Sequence, residues 1–367
     1  MIFSAIDDLL FTCNAVLPII LLILLGYFLK RIHLLPDGFW KMANKLCFRV
    51  ALPVMLFYNI YNVKSIKDIA NQWQIVLYSV IIILVAFIVG LICVILFSKD
   101  PKQKGVILQC VFRSNFAIIG VSLAESLANG SNEPVALAAV ISAISIPLYN
   151  VLAIVSLSIF IKNEDGTSVS PKEIIIKICK NPLIIGVFTG IIFLAFRQAI
   201  PHHTEITYAL ADSTNPLSEV KEIETTVYAF SIKDDLPFIY TTLTWIKNIA
   251  SPLALIALGG DFVFSAIGRL KWQIIAGVVS RTILVPILGL VPLYFINKQT
   301  GWFGDNAFIY PALIALFGTP VAVSSAPMAA EMGNDDELAG QLVVWTSIIS
   351  AFTLFIIVLI ARMAGIF

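Results

Sequence analysis

The sequence predicts an all-α polytopic membrane protein: ten spanning helices forming two inverted five-helix repeats, with broken, crossing fourth and ninth helices. Three observations lead there. The composition is apolar and poor in charge, ten apolar stretches have spanning length, and the fourth and ninth of these share the same weakness. Of 367 residues, 59% are hydrophobic and only 13% charged, about half the charged fraction of a soluble domain. So few charges cannot cover a water-facing surface of this size, whereas a bilayer removes most of that surface from water.

A spanning helix needs roughly 20 apolar residues. The candidate spans are 10–29, 42–61, 74–97, 105–127, 135–160, 182–197, 237–261, 272–296, 306–330 and 338–362. Asp7 and Asp8 precede the first, with no basic residue before it, so it reads as a permanent span rather than a cleaved leader. The second carries Lys45 and Arg49 in its first turns. The third, fifth, eighth and tenth are the most continuous. Gly186 and Gly190 give the short sixth span a small-xxx-small pair, suited to close helix contact or dimerisation. The one large polar insertion, 198–236, holds His202, His203, a Thr/Asn/Pro cluster at 213–216 and Glu219, Glu222 and Glu224. A short amphipathic element or a flexible loop is expected there.

Lys and Arg orient the chain. With the N-terminus outside, fourteen of the 24 basic residues fall in inside loops and eight in outside segments. Both termini are therefore expected outside, in the cell membrane. The net charge of +1 provides no basic field for nucleic acid. The five cysteines are scattered singly with no CxxC pair, which argues against zinc and a disulfide framework.

Ten spans divide into five plus five, and an odd number per repeat inverts one half relative to the other, a hallmark of secondary transporters. The expected halves are 1–180 and 181–367, with 198–236 inserted between spans six and seven. Pro53 in the second span and Pro252 in the seventh occupy similar apolar settings. A shift of 205 residues brings Phe112 onto Phe317, Asn115 onto Pro320, Gly120 onto Ser325, Ser142 onto Ser347 and Ser145 onto Ser350. One further residue of gap brings Glu125 onto Glu331.

The fourth span contains Arg113, Ser114, Asn115 and Gly120, and the ninth Gly318, Thr319, Pro320, Ser324, Ser325 and Pro327. Proline removes a backbone donor and disturbs the preceding turn, and glycine leaves helical geometry cheaply. Freed backbone groups cannot face lipid, so such segments are buried in protein or line a wet cavity. Broken helices at matched positions of two halves point to a transporter's binding site. Asn115, Ser114, Thr319, Ser324 and Ser325 offer hydrogen bonds to a carboxylate, and half-helix ends suit an anion. Helix packing alone accounts for small and hydroxyl residues equally well at any single position. Arg281 sits mid-span, where it serves either structure or function and pairs with a backbone carbonyl or a carboxylate. Arg113 and Asp261, costly in lipid, serve either function or a snorkelling end near the interface. Glu125 and Glu331, near the ends of the broken spans, are either coupling sites or solvated ends.

Leu52-Pro53, Asn115 to Gly120, Pro252 to Gly259, Arg281 with Pro286, and Ser325-Ala326-Pro327 running through Glu331, Gly333 and Leu338-Ala339 together resemble the auxin efflux carrier family of membrane transport proteins. That family includes plant auxin exporters and bacterial malate or malonate permeases. The resemblance implies a scaffold of spans one, two, six and seven, often dimeric, and a moving domain of spans three to five and eight to ten. Substrate would sit where the fourth and ninth spans cross, Asn115 would hold its carboxylate, and Pro320 or Pro327 would mark the ninth-span crossing. Three features depart from the plant exporters. Val121-Ser122 follows Gly120 where a proline often stands, span 74–97 has no ionisable group but Tyr78 and Cys93, and 161–180 is short. A bacterial-type permease for a malate-like mono- or dicarboxylate fits better than an auxin carrier.

The expected function is thus secondary transport of a small organic anion by alternating access. It needs no cofactor, and protons or sodium ions are the candidate coupling ions. The expected partners are the anion, the bilayer and a second copy of the chain in a homodimer. The alternatives are a membrane sensor or receptor on a transporter-like fold, or a polytopic membrane enzyme. The last finds little support, since His33, His202 and His203 are the only histidines and no HExxH or His/Asp arrangement is present.

Overall fold

A computed structural model describes residues 2–63, 71–120, 123–124, 127, 133–162, 167, 169–200, 202–210, 220–262, 264, 266–304 and 306–366. Three helices open on the same device, a polar cap followed by proline. Asp100 accepts from the Lys102 amide ahead of α5 (Pro101–Phe112), Ser170 from the Glu173 amide ahead of α7 (Pro171–Lys180), and Asn181 from the Leu183 amide ahead of α8 (Pro182–Ala199). The cap satisfies a donor that the first turn leaves orphaned, and proline there forfeits no hydrogen bond.

The remaining helices of the first half are α1 (Ile2–Arg31), α2 (Gly38–Leu46), α3 (Leu52–Tyr61), α4 (Trp73–Phe97) and α6 (Glu133–Ser158). A π-helical turn, Cys47–Ala51, joins α2 to α3 so that the second span is one continuous rod. In the second half, α9 (Ile232–Asp235) and α10 (Pro237–Asp261) precede α11 (Ala266–Val279). A second π-helical turn, Ser280–Leu284, carries α11 into α12 (Val285–Thr300). Then come α13 (Asn306–Gly318), α14 (Ser325–Glu331) and α15 (Asp336–Met363). Six helices among the described residues are long and apolar enough to cross a membrane: Trp73–Leu96, Pro134–Ser158, Pro182–Ala199, Pro237–Asp261, Ala266–Thr300 and Asp336–Met363.

Two connections differ from expectation. Within 198–236 lie two strands, β1 (His202–Leu210) and β2 (Val220–Tyr228), paired antiparallel from His202 opposite Tyr228 to Leu210 opposite Val220. The chain is therefore not purely helical. Alternating Thr, Ile, Tyr and Val in these strands suits extended backbone, a signal masked by the surrounding charges and prolines. Arg197 fastens the foot of the ribbon, lying over the rings of Tyr61 and Tyr228 and donating to the Val63 carbonyl at 2.7 Å. The connection 161–180 holds α7, an amphipathic helix that carries Lys172, Lys177 and Lys180 and leaves Ile175 and Ile176 exposed. Such a helix is suited to lie along a membrane surface.

Helices α1, α2–α3, α8 and α10 pack together, as do α4, α5, α6 and α11 to α15, and α1 also packs against α15 across the two groups. Glycine sets the tightest approach in the first group. A Cβ on Gly26 would run into the Ile256 backbone, and one on Gly259 into the Ile23 backbone, so α1 and α10 touch main chain to main chain. Gly186 and Gly190 fit against Pro53 and Ile60 of α3, so this pair serves helix contact within the chain. Asn44 donates to Asp261 at 3.0 Å, which pins α2 to α10 and gives Asp261 a protein partner. In the second group Gln103 joins three elements, donating to Asp335 at 3.1 Å and accepting from Gln273 and Ser98, both at 3.2 Å.

Candidate functional site

The fourth and ninth spans are both interrupted, and the interruptions meet. Helix α5 stops at Phe112, and Arg113 is extended at φ −83°, ψ 108°. Helical structure resumes as a π-helical turn, Phe116–Gly120. On the other side α13 stops at Gly318, and α14 begins at Ser325. Ser114 and Val321 form an antiparallel bridge. The Asn115 amide donates to the Pro320 carbonyl at 2.8 Å and the Ala322 amide to the Arg113 carbonyl at 3.3 Å. The Ser114 and Thr319 hydroxyls are 2.6 Å apart, and the Val321 amide reaches Thr346 on α15 at 3.3 Å. Several freed backbone groups in this short crossing thus find partners on the opposite break or on a neighbouring helix, as an apolar setting demands.

Proline explains the ninth-span break. Pro320 lacks an N–H and disfavours helix at Thr319, while its carbonyl stays available to Asn115. Pro327 lies in the first turn of α14, where proline costs nothing, so Pro320 is the proline at the crossing. The fourth-span break falls at 113–115, ahead of Gly120. Gly120 instead makes room for the Phe116 ring, which a Cβ would strike.

Arg281 holds both breaks. Fully buried in its π-helical turn, it donates to the Thr319 carbonyl at 2.9 Å, to Phe112 and Val111 at 3.3 and 3.4 Å, and to Phe317 and Leu316 at 3.2 and 3.3 Å. These carbonyls end α5 and α13, where the intrahelical ladder leaves acceptors orphaned and the helix dipoles are negative. Its partners are carbonyls, the first of the two pairings anticipated.

A small cavity opens beside the crossing, about 30 Å³, enough to hold water. Arg113, Ser114, Asn115, Ala322 and Ser324 of the two breaks line it, with Ile146, Tyr149 and Asn150 of α6. Leu52, Met55 and Leu56 of α3 and Leu183 of α8 form the wall from the other helix group. Asn115 is 1% exposed, and its Nδ2 has no hydrogen-bond partner. A buried, unpaired amide donor is costly and is the kind of group a ligand satisfies.

Arg113 does not snorkel. It is 2% exposed, because the extended backbone turns it inward to Asn150 and Ser324. Ser325 is buried away from the cavity, near Gln109, Cys110 and Val321. Glu331 ends α14 in an ion pair with Arg49, joining the two helix groups. Glu125 lies outside the described residues. The structure therefore gathers Ser114, Asn115, Thr319, Pro320 and Ser324 at the crossing and leaves Gly120, Ser325, Pro327 and Glu331 to other contacts. It adds Arg113, Tyr149 and Asn150 to the surroundings. Asn150, an amide within an apolar span, was a legible signal.

Interrupted helices paired through their backbones, with a charged and polar cavity between two helix groups, define the class: a membrane transport protein. Residues 11–358 match the family described as membrane transport protein, and the chain belongs to it, the auxin efflux carrier family. It is 24% identical over 255 residues to the uncharacterized transporter YfdV of Escherichia coli K12, covering 68% of this chain and 78% of that one. YfdV of Escherichia coli O157:H7 and of Shigella flexneri matches to the same extent.

Proposed function

We propose that this protein is a secondary carrier of a small organic anion, a malate-like mono- or dicarboxylate, working by alternating access in the cell membrane. The observation that carries the proposal is the unpartnered Nδ2 of Asn115 in the cavity at the crossing. An amide donor beside the Arg113 cation suits a carboxylate. The cavity is small and walled by both helix groups, so in this reading solute enters as the two groups part. The proposed scaffold is α1, α2–α3, α8 and α10, and the proposed moving body is the other group.

Ten spans in two inverted repeats, 1–180 and 181–367, belong to the same reading, with both termini outside. Ser114 and Thr319, which the 205-residue shift equates, bond each other, as two-fold-related positions do near their axis. Ser324 completes the polar lining. Thr319 and Pro320 shape the crossing, and Gly120, Ser325 and Pro327 support the segments that flank it. A homodimer through the scaffold would cover exposed apolar side chains such as Phe188, Phe196 and Trp245. The reading includes proton or sodium coupling, with Glu125 and Glu331 as its candidate groups.

The test is uptake of labelled malate into proteoliposomes, with and without a proton or sodium gradient, competed by a panel of small carboxylates. Saturable uptake blocked by members of the panel is expected. Absence of both flux and competition overturns the carboxylate assignment, and binding without flux favours a sensor.

A further inference from the structure

Two arginines are buried at the crossing, and only one is explained by its protein partners. Arg281 spends its donors on the carbonyls that end two helices. Arg113 donates through Nη2 to Asn150 Oδ1 at 2.8 Å and Ser324 Oγ at 2.9 Å, and through Nη1 to Met328 Sδ at 3.2 Å. All three acceptors are neutral, and among the described residues no carboxylate pairs with this guanidinium. Unlike Arg281, Arg113 has no helix-end carbonyls to compensate its charge, and a cation so sequestered from water is an unfavourable arrangement that a bound anion relieves.

Backbone geometry places this cation beside Asn115. Arg113 is extended and Ser114 is bridged to Val321. Along extended chain, residues two apart lie on the same side, roughly 6.6 Å apart, and Ser114 between them bonds Thr319. Arg113 and Asn115 both line the cavity. A cation and an unpaired amide donor thus flank one space, faced by the apolar side chains of Leu52, Met55 and Leu56.

We propose that Arg113 receives a second carboxylate of the transported anion while Asn115 holds the first, so that this carrier selects dicarboxylates over monocarboxylates. The assignment rests on the carrier reading above. A guanidinium fork matches a carboxylate bidentately, and the apolar wall accommodates the methylene carbons between the two acids. Asn150 and Ser324 are positioning residues. They fix the guanidinium, and Asn150 is itself fixed by donating to the Ile146 carbonyl at 2.9 Å.

The test compares matched di- and monocarboxylates, succinate with butyrate and malate with lactate, as competitors and as labelled substrates in proteoliposomes. Wild-type protein should prefer the diacid by roughly tenfold or more. Arg113→Gln should bring that ratio close to one, and Arg113→Lys should retain part of it. Asn150→Asp sets a carboxylate on the guanidinium from within and should also abolish the diacid preference. It decides the matter where Arg113→Gln does not yield a monodisperse protein. A wild-type ratio in either neutralised variant overturns the assignment, as does wild-type protein that takes up monoacids with no diacid preference. Wild-type protein that neither transports nor is competed by any carboxylate overturns the carrier reading and this assignment together.

Discussion

The backbone amide of Asn115 donates to the carbonyl of Pro320 at 2.8 Å, so the fourth and ninth spans are joined through main chain. The side chain of Asn115 takes no part in that joint. Substituting it should therefore leave the crossing intact. Asn115→Ala removes a buried amide whose Nδ2 has no partner, so the loss of hydrogen bonding is small and stability should stay within about 1 kcal/mol of wild type. Malate uptake by the same preparation should fall by roughly a hundredfold. Thermal unfolding in detergent alongside proteoliposome flux checks both halves. Normal flux would remove Asn115 from the binding site.

Arg281 should behave in the opposite way. Truncating it to Ala leaves carbonyls of Val111, Phe112, Leu316, Phe317 and Thr319 without their donor. Each buried orphan costs about 1–3 kcal/mol before relaxation. Arg281→Ala should unfold at a much lower temperature than Asn115→Ala, with Arg281→Lys between them, because an ammonium cannot span two helix ends as a planar fork does. A melting temperature for Arg281→Ala equal to that of Asn115→Ala would show that the clamp is dispensable.

Glycine substitutions separate contact from propensity. A side chain at Gly259 meets the Ile23 backbone, whereas one at Gly268 meets nothing within 4 Å. Gly259→Val should cost at least about 1–3 kcal/mol, since backbone cannot yield as a rotamer does. Gly268→Ala should stabilise by about 0.5–1 kcal/mol through helix propensity. Fluorescence-monitored melting of the two variants should move in opposite directions; equal shifts would contradict the close crossing of α1 and α10.

Arg49 and Glu331 form the ion pair that joins the two helix groups, with side chains 54% and 24% exposed. At that exposure the pair should contribute no more than about 1 kcal/mol to stability. Its effect should appear in rate instead, because the proposed scaffold and moving body part there. Arg49→Glu should alter the initial rate of uptake with little change in melting temperature, and adding Glu331→Arg should restore part of it. Additive effects of the two substitutions on rate in a double-mutant cycle would leave the pair without a role in the motion.

The helical nature of the chain and the place of the ninth-span break were legible because their causes are local, whereas the fourth-span break falls at 113–115 rather than at Gly120. Apolar length marks a span, and Pro320 cannot continue a helix whatever surrounds it. Choosing Pro320 over Pro327 was not legible, because the two differ only in their place relative to a helix start. Arg113 stayed open between function and a snorkelling end for a related reason. Its sequence position suits a snorkelling end, and only the extended backbone at the break turns it inward to Asn150. The ribbon from His202 to Tyr228 was hidden because its register depends on pairing across the nine residues 211–219, which strand propensity alone does not reveal.

The buried guanidinium groups of Arg113 and Arg281 lie in one crossing, and among the described residues neither meets a carboxylate. A crossing that travels between the two faces of an energised membrane would take those charges with it. Moving one elementary charge through the full field is worth about 2.3 kcal/mol per 100 mV, so the empty crossing would respond to voltage. A bound dianion would cancel both charges and make the loaded crossing nearly indifferent to it. Membrane voltage would then act chiefly on the return stroke, setting how fast the vacant site comes back rather than how readily the filled one leaves.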